Sequence, residues 1–366
     1  MIARIIDSLY NPTIMPANDD MLARIRTTLT ALGYSITEDQ PHISGERAHL
    51  SVKKQVLLGK NAAGVPVVIK TSDHPDGIKE ILQEKTARDV LKRLSFAMDE
   101  LLQAEELFSG SEDGRYFLIT SYIPQESIFV IRPIEEQFFL ALRAFEAQEA
   151  FHATTYGHAR EIRNAFEVYT AVTYLDSFHG FLESVRRYTS NPRLDAALVR
   201  GSRFLEENAV VIERYGNYLT HTDFVPHNMR LHGRAIYALD LASVRFGNKY
   251  EGWGRFLNYM TAHNPPLERM LITYLRKNRP EEYLAVRLMR VYKLGYLLAY
   301  YAGLLPITTG NHLKITELRI ELWTTVLEEV LDEHPVPDEV VQKYTHARNA
   351  LRSEEEKRRQ REFAET

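Results

Sequence analysis

The stretch HTDFVPHN at residues 221–228, followed by Asp240 in IYALDLA, decides how the rest of the chain is read. Residues 228–242 (NMRLHGRAIYALDLA) alternate as two short strands, with His232-Gly233 as the candidate turn. A two-residue turn there pairs Leu231 with Arg234 and carries Asp240 opposite Val225, inside the loop between Asp223 and Asn228. Two carboxylates and an amide then meet at one end of a ribbon. Such a set offers hard oxygen ligands of the kind a magnesium ion prefers. It also leaves a carboxylate to orient a hydroxyl, and those are the needs of phosphoryl transfer.

Working outward, residues 65–71 (VPVVIKT) read as a strand rich in β-branched residues that carries Lys70. Residues 34–44 and 50–58 are strand-like too, and 114–123 (GRYFLITSYI) form a further strand stopped by Pro124. Two helices interleave: residues 18–33, capped by Asn18 or Asp19 and ended by Gly33, and residues 77–95, which carry Glu80 and Glu84. From about residue 130 the spacing is helical, broken at Asn191-Pro192 and Asn264-Pro265-Pro266 and interrupted by the hairpin.

HTDFVPHN resembles the His-x-Asp-x-x-x-x-Asn loop of the aminoglycoside phosphotransferase and choline kinase family, relatives of the protein kinases. The resemblance spans roughly residues 20–305 at the level of motif order. It implies an α+β, bilobal protein kinase-like fold, with a small β-rich N-lobe and a large, mostly helical C-lobe. The implied divisions are an N-terminal extension at 1–17, an N-lobe at 18–124, a C-lobe at 125–336 and a charged tail at 337–366. The implied reaction is ATP- and Mg²⁺-dependent transfer of phosphate to a hydroxyl of a small molecule. Asp223 takes the role of catalytic base, Asn228 and Asp240 that of metal ligands, and His221 holds the loop in shape. Lys70 falls where the family keeps a lysine on the ATP phosphates, with Glu84 as its ion-pair partner and Glu80 as a rival one turn earlier. Backbone groups of Ser121 and Ile123 fall at the adenine-binding hinge, and Gly45 in the loop over the phosphates.

The chain departs from the family pattern at Thr222, where glycine is common, and at Leu241-Ala242, where relatives often carry an aromatic residue. Gly45 stands alone in its loop. A later aspartate that commonly supports the catalytic loop is missing, and Glu251 is the candidate substitute. These departures keep a second reading open, a catalytically weak or inactive nucleotide-binding or scaffold protein.

Composition bounds the rest. With 366 residues, 45% of them hydrophobic, the chain can bury a sizeable core. A net charge of −4 argues against a nucleic-acid partner. The chain has no cysteine, which excludes disulfides and is compatible with a cytoplasmic location. The most apolar stretch, residues 294–307, is too short to span a bilayer and reads as a buried helix, so no membrane partner is expected. His221, His227 and His232 do not read as a zinc set, because His232 lies far along the ribbon. Trp253, Tyr259, Tyr300 and Tyr301 read as core before pocket. The tail from 337 reads as a solvated helix or a partly disordered segment. Residues 131–330 hold 24 Lys+Arg against 22 Asp+Glu, a net of +2, which lowers a polycationic acceptor relative to a neutral or zwitterionic alcohol or a sugar. The acceptor itself and the oligomeric state are not legible.

Overall fold

The computed structural model describes residues 18–38, 40, 53–94, 101–125, 129–232, 235–354 and 357, with the backbone alone at 18–20, 101 and 150–155. It has the expected two lobes. In the smaller, helix α1 (Asn18–Ala31) leads to β1 (Tyr34–Ile36), β2 (Gln55–Asn61), β3 (Pro66–Ser72), helix α2 (Pro75–Arg93), β4 (Leu101–Gln103), β5 (Glu106–Glu112) and β6 (Arg115–Ser121). Five strands form one antiparallel sheet in the order β1-β2-β3-β6-β5. Strand alternation explains its two faces. Val67 and Ile69 point into a core with Leu57, Phe117, Ile119 and the Ile25 and Leu29 of α1. The intervening Lys70 points to the other side, where α2 packs. The expected strand at 34–44 is three residues long where it can be followed, and Gly45 lies outside the described residues.

The larger lobe runs through α3 (Ile134–Ala165), α4 (Ala171–Tyr188), α5 (Pro192–Glu207), α6 (Ala209–Arg214), β7 (Tyr218–His221), β8 (Met229–His232), β9 (Ala235–Ala238), β10 (Val244–Gly247), α7 (Glu251–His263), α8 (Pro265–Asn278), α9 (Pro280–Leu304), α10 (Gly310–Asp332) and α11 (Asp338–Leu351). Both Asn-Pro breaks are helix starts. Asn191 caps α5 and Asn264 caps α8, each with proline in the first turn, where its missing N–H costs nothing. Residues 294–304 close α9 as a buried helix. Among the described residues no helix is long and apolar enough to cross a membrane.

Three features differ from expectation. First, β4 and β5 lie within residues 101–112, which carry no clear strand pattern, and β4 pairs in parallel with β9 of the hairpin. The short strand thereby ties the two lobes together. Second, the hairpin pairs His232 with Ala235 and Met229 with Ala238, so His232 lies within the ladder and not in the turn. The assumed register would have set the buried Leu231 against Arg234; the observed one sets it against Ile236, joining two core side chains. Third, residues 338–351 form α11, whose Val341 and Tyr344 belong to the main core, so this part of the tail has a buried face.

A separate apolar cluster fixes α2 to the site. Ala87, Val90, Leu91 and Leu94 pack against Ile162 of α3 and Phe166 just past its end, and against Ala238, Leu241, Val244 and Phe246 around the end of the hairpin. His74 caps the start of α2, its side chain accepting from the Asp76 N–H.

Candidate active site

Strand β3 presents Lys70 to the cleft opposite α2. Its Nζ forms an ion pair with Glu84, and lies 3.3 Å from Asp240 Oδ1. Glu84 is buried, and its other oxygen accepts from Arg88 at 3.1 Å; Arg88 in turn donates to the Ala104 carbonyl at 2.7 Å. Glu84 is thus held from behind, so its orientation toward Lys70 does not depend on the lysine.

Glu80, the rival partner, is not idle. It pairs with Lys54, which immediately precedes β2 and lies 3.8 Å from Asp240 Oδ1. Glu80 and Glu84 are one helical turn apart on α2, and Lys54 and Lys70 reach them from neighbouring strands. Two lysine–glutamate pairs therefore stand side by side, both lysines converging on one carboxylate. Sequence reading missed Lys54. Its strand does not begin until Gln55, and a lone lysine after a loop carries no local signal.

Asp240 sits in the left-handed region (φ 54°, ψ 55°), one residue past Leu239, whose N–H donates to the Asn228 carbonyl at 2.8 Å. Burial opposes its charge, but Lys70 and Lys54 outweigh that and hold its carboxyl well below the usual range. Burial pulls the Lys54 ammonium down, but Asp240 and then Glu80 and Glu84 outweigh it and raise it above its ordinary value.

On the other side, Asn228 Nδ2 donates to both the carbonyl and the carboxylate of Asp223, each at 2.8 Å. Arg255 of α7 donates to the other oxygen of Asp223 at 2.6 Å. Burial pushes the Asp223 carboxyl up, but Arg255, Lys293 and His221 together bring it below its ordinary value. Arg255 was not legible in the sequence, since only the docking of α7 brings it to the loop.

The loop is braced from beneath. His221 Nε2 bonds the Leu239 carbonyl at 2.8 Å, and the Thr222 N–H donates to the Ser243 carbonyl at 2.9 Å. Gly252 lies so close that an added Cβ would meet the His221 carbonyl at 2.9 Å. Glu251, the candidate substitute for the missing aspartate, is fully buried. Its partners are Lys293 at 2.9 Å and the Tyr174 hydroxyl at 2.7 Å, with Arg245 at 3.9 Å. None belongs to the loop at 221–228, so Glu251 anchors α7 to α4 and α9 and reaches the loop through Arg255 one turn on.

At the hinge, the Ser121 N–H is committed to the Glu105 carbonyl at 2.8 Å. The Ile123 N–H makes no hydrogen bond among the described residues, so of the two it is the one placed to meet a ligand. Trp253 is core, stacked on Phe145 at 3.6 Å. Tyr259 instead lies between His227 (5.0 Å) and His263 (4.1 Å, stacked) in a ring ladder leading away from Asp223.

A magnesium ion fits this donor set. Asn228 turns its Nδ2 to Asp223, leaving its amide oxygen as an acceptor, and Asp240 supplies an ionised carboxylate nearby. One carboxylate, one amide oxygen, waters and phosphate oxygens suit an ion that keeps much of its hydration. Among the described residues no group of three or more His, Asp or Glu makes a metal site unaided.

No family model matches the sequence, and no curated protein does either. Many solved structures match the fold. A thermostable mutant of aminoglycoside phosphotransferase APH(4)-Ia, in ternary complex with ADP and hygromycin B, aligns at a TM-score of 0.59. It is 13% identical, over 87% of this chain and 98% of its own. The streptomycin–ATP–APH(2")-IIa ternary complex aligns at 0.53, with 12% identity over 87% of this chain and 99% of its own. Macrolide 2'-phosphotransferase MphH from Brachybacterium faecium aligns at 0.52, with 14% identity over 83% and 98%. The chain has the two-lobed, protein kinase-like fold of the aminoglycoside and macrolide phosphotransferases.

Proposed function

We propose that this protein transfers the γ-phosphoryl group of ATP to a hydroxyl of a small molecule. The observation that carries the reading is the convergence, in one cleft, of the Lys70–Glu84 pair, Asp240 and the Asn228–Asp223 pair.

Lys70 and Lys54 bind the phosphates, and their carboxylate partners keep both ammonium groups fixed in the cleft. Backbone groups at Ile123 hold adenine. Asn228 and Asp240 are the residues that would hold Mg²⁺, which when bound neutralises charge on the phosphate oxygens. Asp223 accepts a hydrogen bond from the acceptor hydroxyl and takes its proton as that oxygen bonds to the γ-phosphorus. The bond from the γ-phosphorus to the bridging oxygen breaks, and ADP leaves. Because Arg255 and its neighbours keep Asp223 ionised, it is ready to accept at neutral pH, and its low basicity makes orientation its larger contribution.

One observation favours the inactive-scaffold reading: Arg255 already occupies an oxygen of Asp223. The variant Asp223→Asn separates the two. The transferase reading expects kcat to fall by about a hundredfold or more, with ATP binding little changed. Binding of ATP–Mg²⁺ by the wild type with no transfer across a broad panel of alcohols, followed by product mass spectrometry, decides for the scaffold.

A further inference from the structure

Helix α7 carries Glu251 and Arg255 four residues apart and so on one face. Arg255 donates from Nε to Asp223 Oδ1 at 2.6 Å, and Asn228 Nδ2 donates to Asp223 Oδ2 at 2.8 Å. An ionised carboxylate offers about four acceptor sites, so a hydroxyl can still bond Asp223 beside Arg255. Both side chains reach solvent: Asp223 is 38% exposed and Arg255 17%. The contact between them is single, although a guanidinium fork commonly takes a carboxylate with two donors. Among the described residues the two terminal nitrogens of Arg255 make no hydrogen bond. The Nε bond thus holds two further donors at the edge of the catalytic carboxylate.

The neighbouring acids are answered by the protein itself. Glu251 accepts from Lys293 at 2.9 Å, and Glu268 pairs with Arg290 at 2.8 Å. With Asp223 on Arg255, each of these three acids carries a basic side chain of the same chain. On the phosphate side Asp240 has Lys70 and Lys54. A site built for a cationic acceptor presents carboxylates to it; here the place of an ammonium at Asp223 is taken by Arg255. We propose that Arg255 selects the acceptor: while Nε holds Asp223, the terminal nitrogens donate to an oxygen on the carbon next to the reactive hydroxyl, so that the acceptor is a polyol or sugar with adjacent oxygens and not an amino alcohol with an ammonium there. The inference rests on the phosphotransferase reading and adds the substrate class. Arginine suits the task because its planar fork spans two acceptors at once, which the point charge of a lysine does not.

The test uses the full-length protein with ATP and Mg²⁺, and product mass spectrometry gives kcat/KM for matched alcohols. Glycerol is set against trimethylene glycol and serinol, ethylene glycol against propanol and ethanolamine, and inositol against phloroglucitol. The expected result is that the member with adjacent oxygens is phosphorylated at least tenfold faster than its partner with isolated hydroxyls or an adjacent ammonium. Arg255→Met should bring those ratios to within about twofold, with serinol gaining on glycerol because Asp223 is then open to an ammonium. Arg255→Lys keeps a cation on Asp223 but loses the fork, so its ratios should fall below about threefold. Basal hydrolysis of ATP, with water as the acceptor, is measured alongside. If Arg255→Met lowers hydrolysis and every alcohol by one common factor, Arg255 only positions Asp223 and the inference is overturned. A wild type without the preference, or a preference that survives in both variants, overturns it too, and each of these results leaves the phosphotransferase reading in place. Binding of ATP–Mg²⁺ with no transfer to any alcohol removes that reading and this inference with it.

Discussion

Replacing Lys54 by methionine tests the doubled lysine–glutamate arrangement on the phosphate side. The lysine Nζ lies 3.8 Å from Asp240 Oδ1, and Lys70 lies 3.3 Å from the same atom. At an effective dielectric of about 20, unit charges 3.8 Å apart attract by about 4 kcal/mol before desolvation is subtracted. Lys54 is therefore a real part of the field that keeps Asp240 ionised, though Lys70, closer still, suffices to maintain it. The larger effect falls on ATP. One charge-assisted contact to a phosphate contributes about 1.5–3 kcal/mol, which at 1.36 kcal/mol per tenfold is about 10- to 150-fold in affinity. Folding should suffer little, because Glu80 is 45% exposed and pairs of that kind contribute at most about 1 kcal/mol. The assay is titration of ATP–Mg²⁺, ADP and AMP into wild type, Lys54→Met, Glu80→Gln and the double variant. Lys54→Met should weaken ATP and ADP at least tenfold and AMP less than twofold, since AMP lacks the distal phosphates. Glu80→Gln should cost less, and the double variant should resemble Lys54→Met, because Glu80 acts through the lysine. A change in ATP affinity of less than threefold would refute the clamp. An equal loss for AMP would refute it too, by showing a general distortion of the cleft.

The ion pair beneath the site sets a stability prediction. Glu251→Gln leaves Lys293 buried without its partner and should cost about 3–5 kcal/mol, read as a lower Tm, with Glu251→Gln/Lys293→Met recovering part of the loss. Glu251 is held below its ordinary 4.5 because Arg245 and Lys293 outweigh the cost of burial. A depressed acid stabilises the fold above its unfolded value, so this stability should be intact above about pH 5 and fade as pH falls through the carboxylate range, visible as a Tm that drops less with acid in the glutamine variant. Helix crossing sets the last. A Cβ at Gly254 would lie 2.6 Å from the Met289 carbonyl carbon and 2.7 Å from the Arg290 nitrogen, both backbone, so Gly254→Ala should force α7 from α9 and cost at the upper end of the 1–3 kcal/mol seen for overpacking. Gly180→Ala, with nothing within 4 Å, is the control and should leave Tm unchanged or slightly raised.

The sequence by itself determined what is encoded over short distances along the chain. Alternation of apolar residues placed Lys70 on a strand, and helical spacing placed Glu80 and Glu84 on one face of α2. The five-residue interval from Asp223 to Asn228 placed both in a loop before a hairpin. Tertiary structure decided whatever depends on two distant segments meeting. Helical spacing offered both Glu80 and Glu84 to Lys70; the structure pairs Lys70 with Glu84 and gives Glu80 its own lysine, Lys54, arriving from the edge of a neighbouring strand. The hairpin register turned on which of two cross-strand partners Leu231 would meet, and a slip of two residues keeps every side chain on its face, so alternation cannot see it. Arg255 reaches Asp223 only because α7 docks beneath the loop, and Lys293 reaches Glu251 only because α9 packs across α7. Those approaches are driven by burial, which is non-directional, so they leave no local mark in the sequence of the polar residues they bring together.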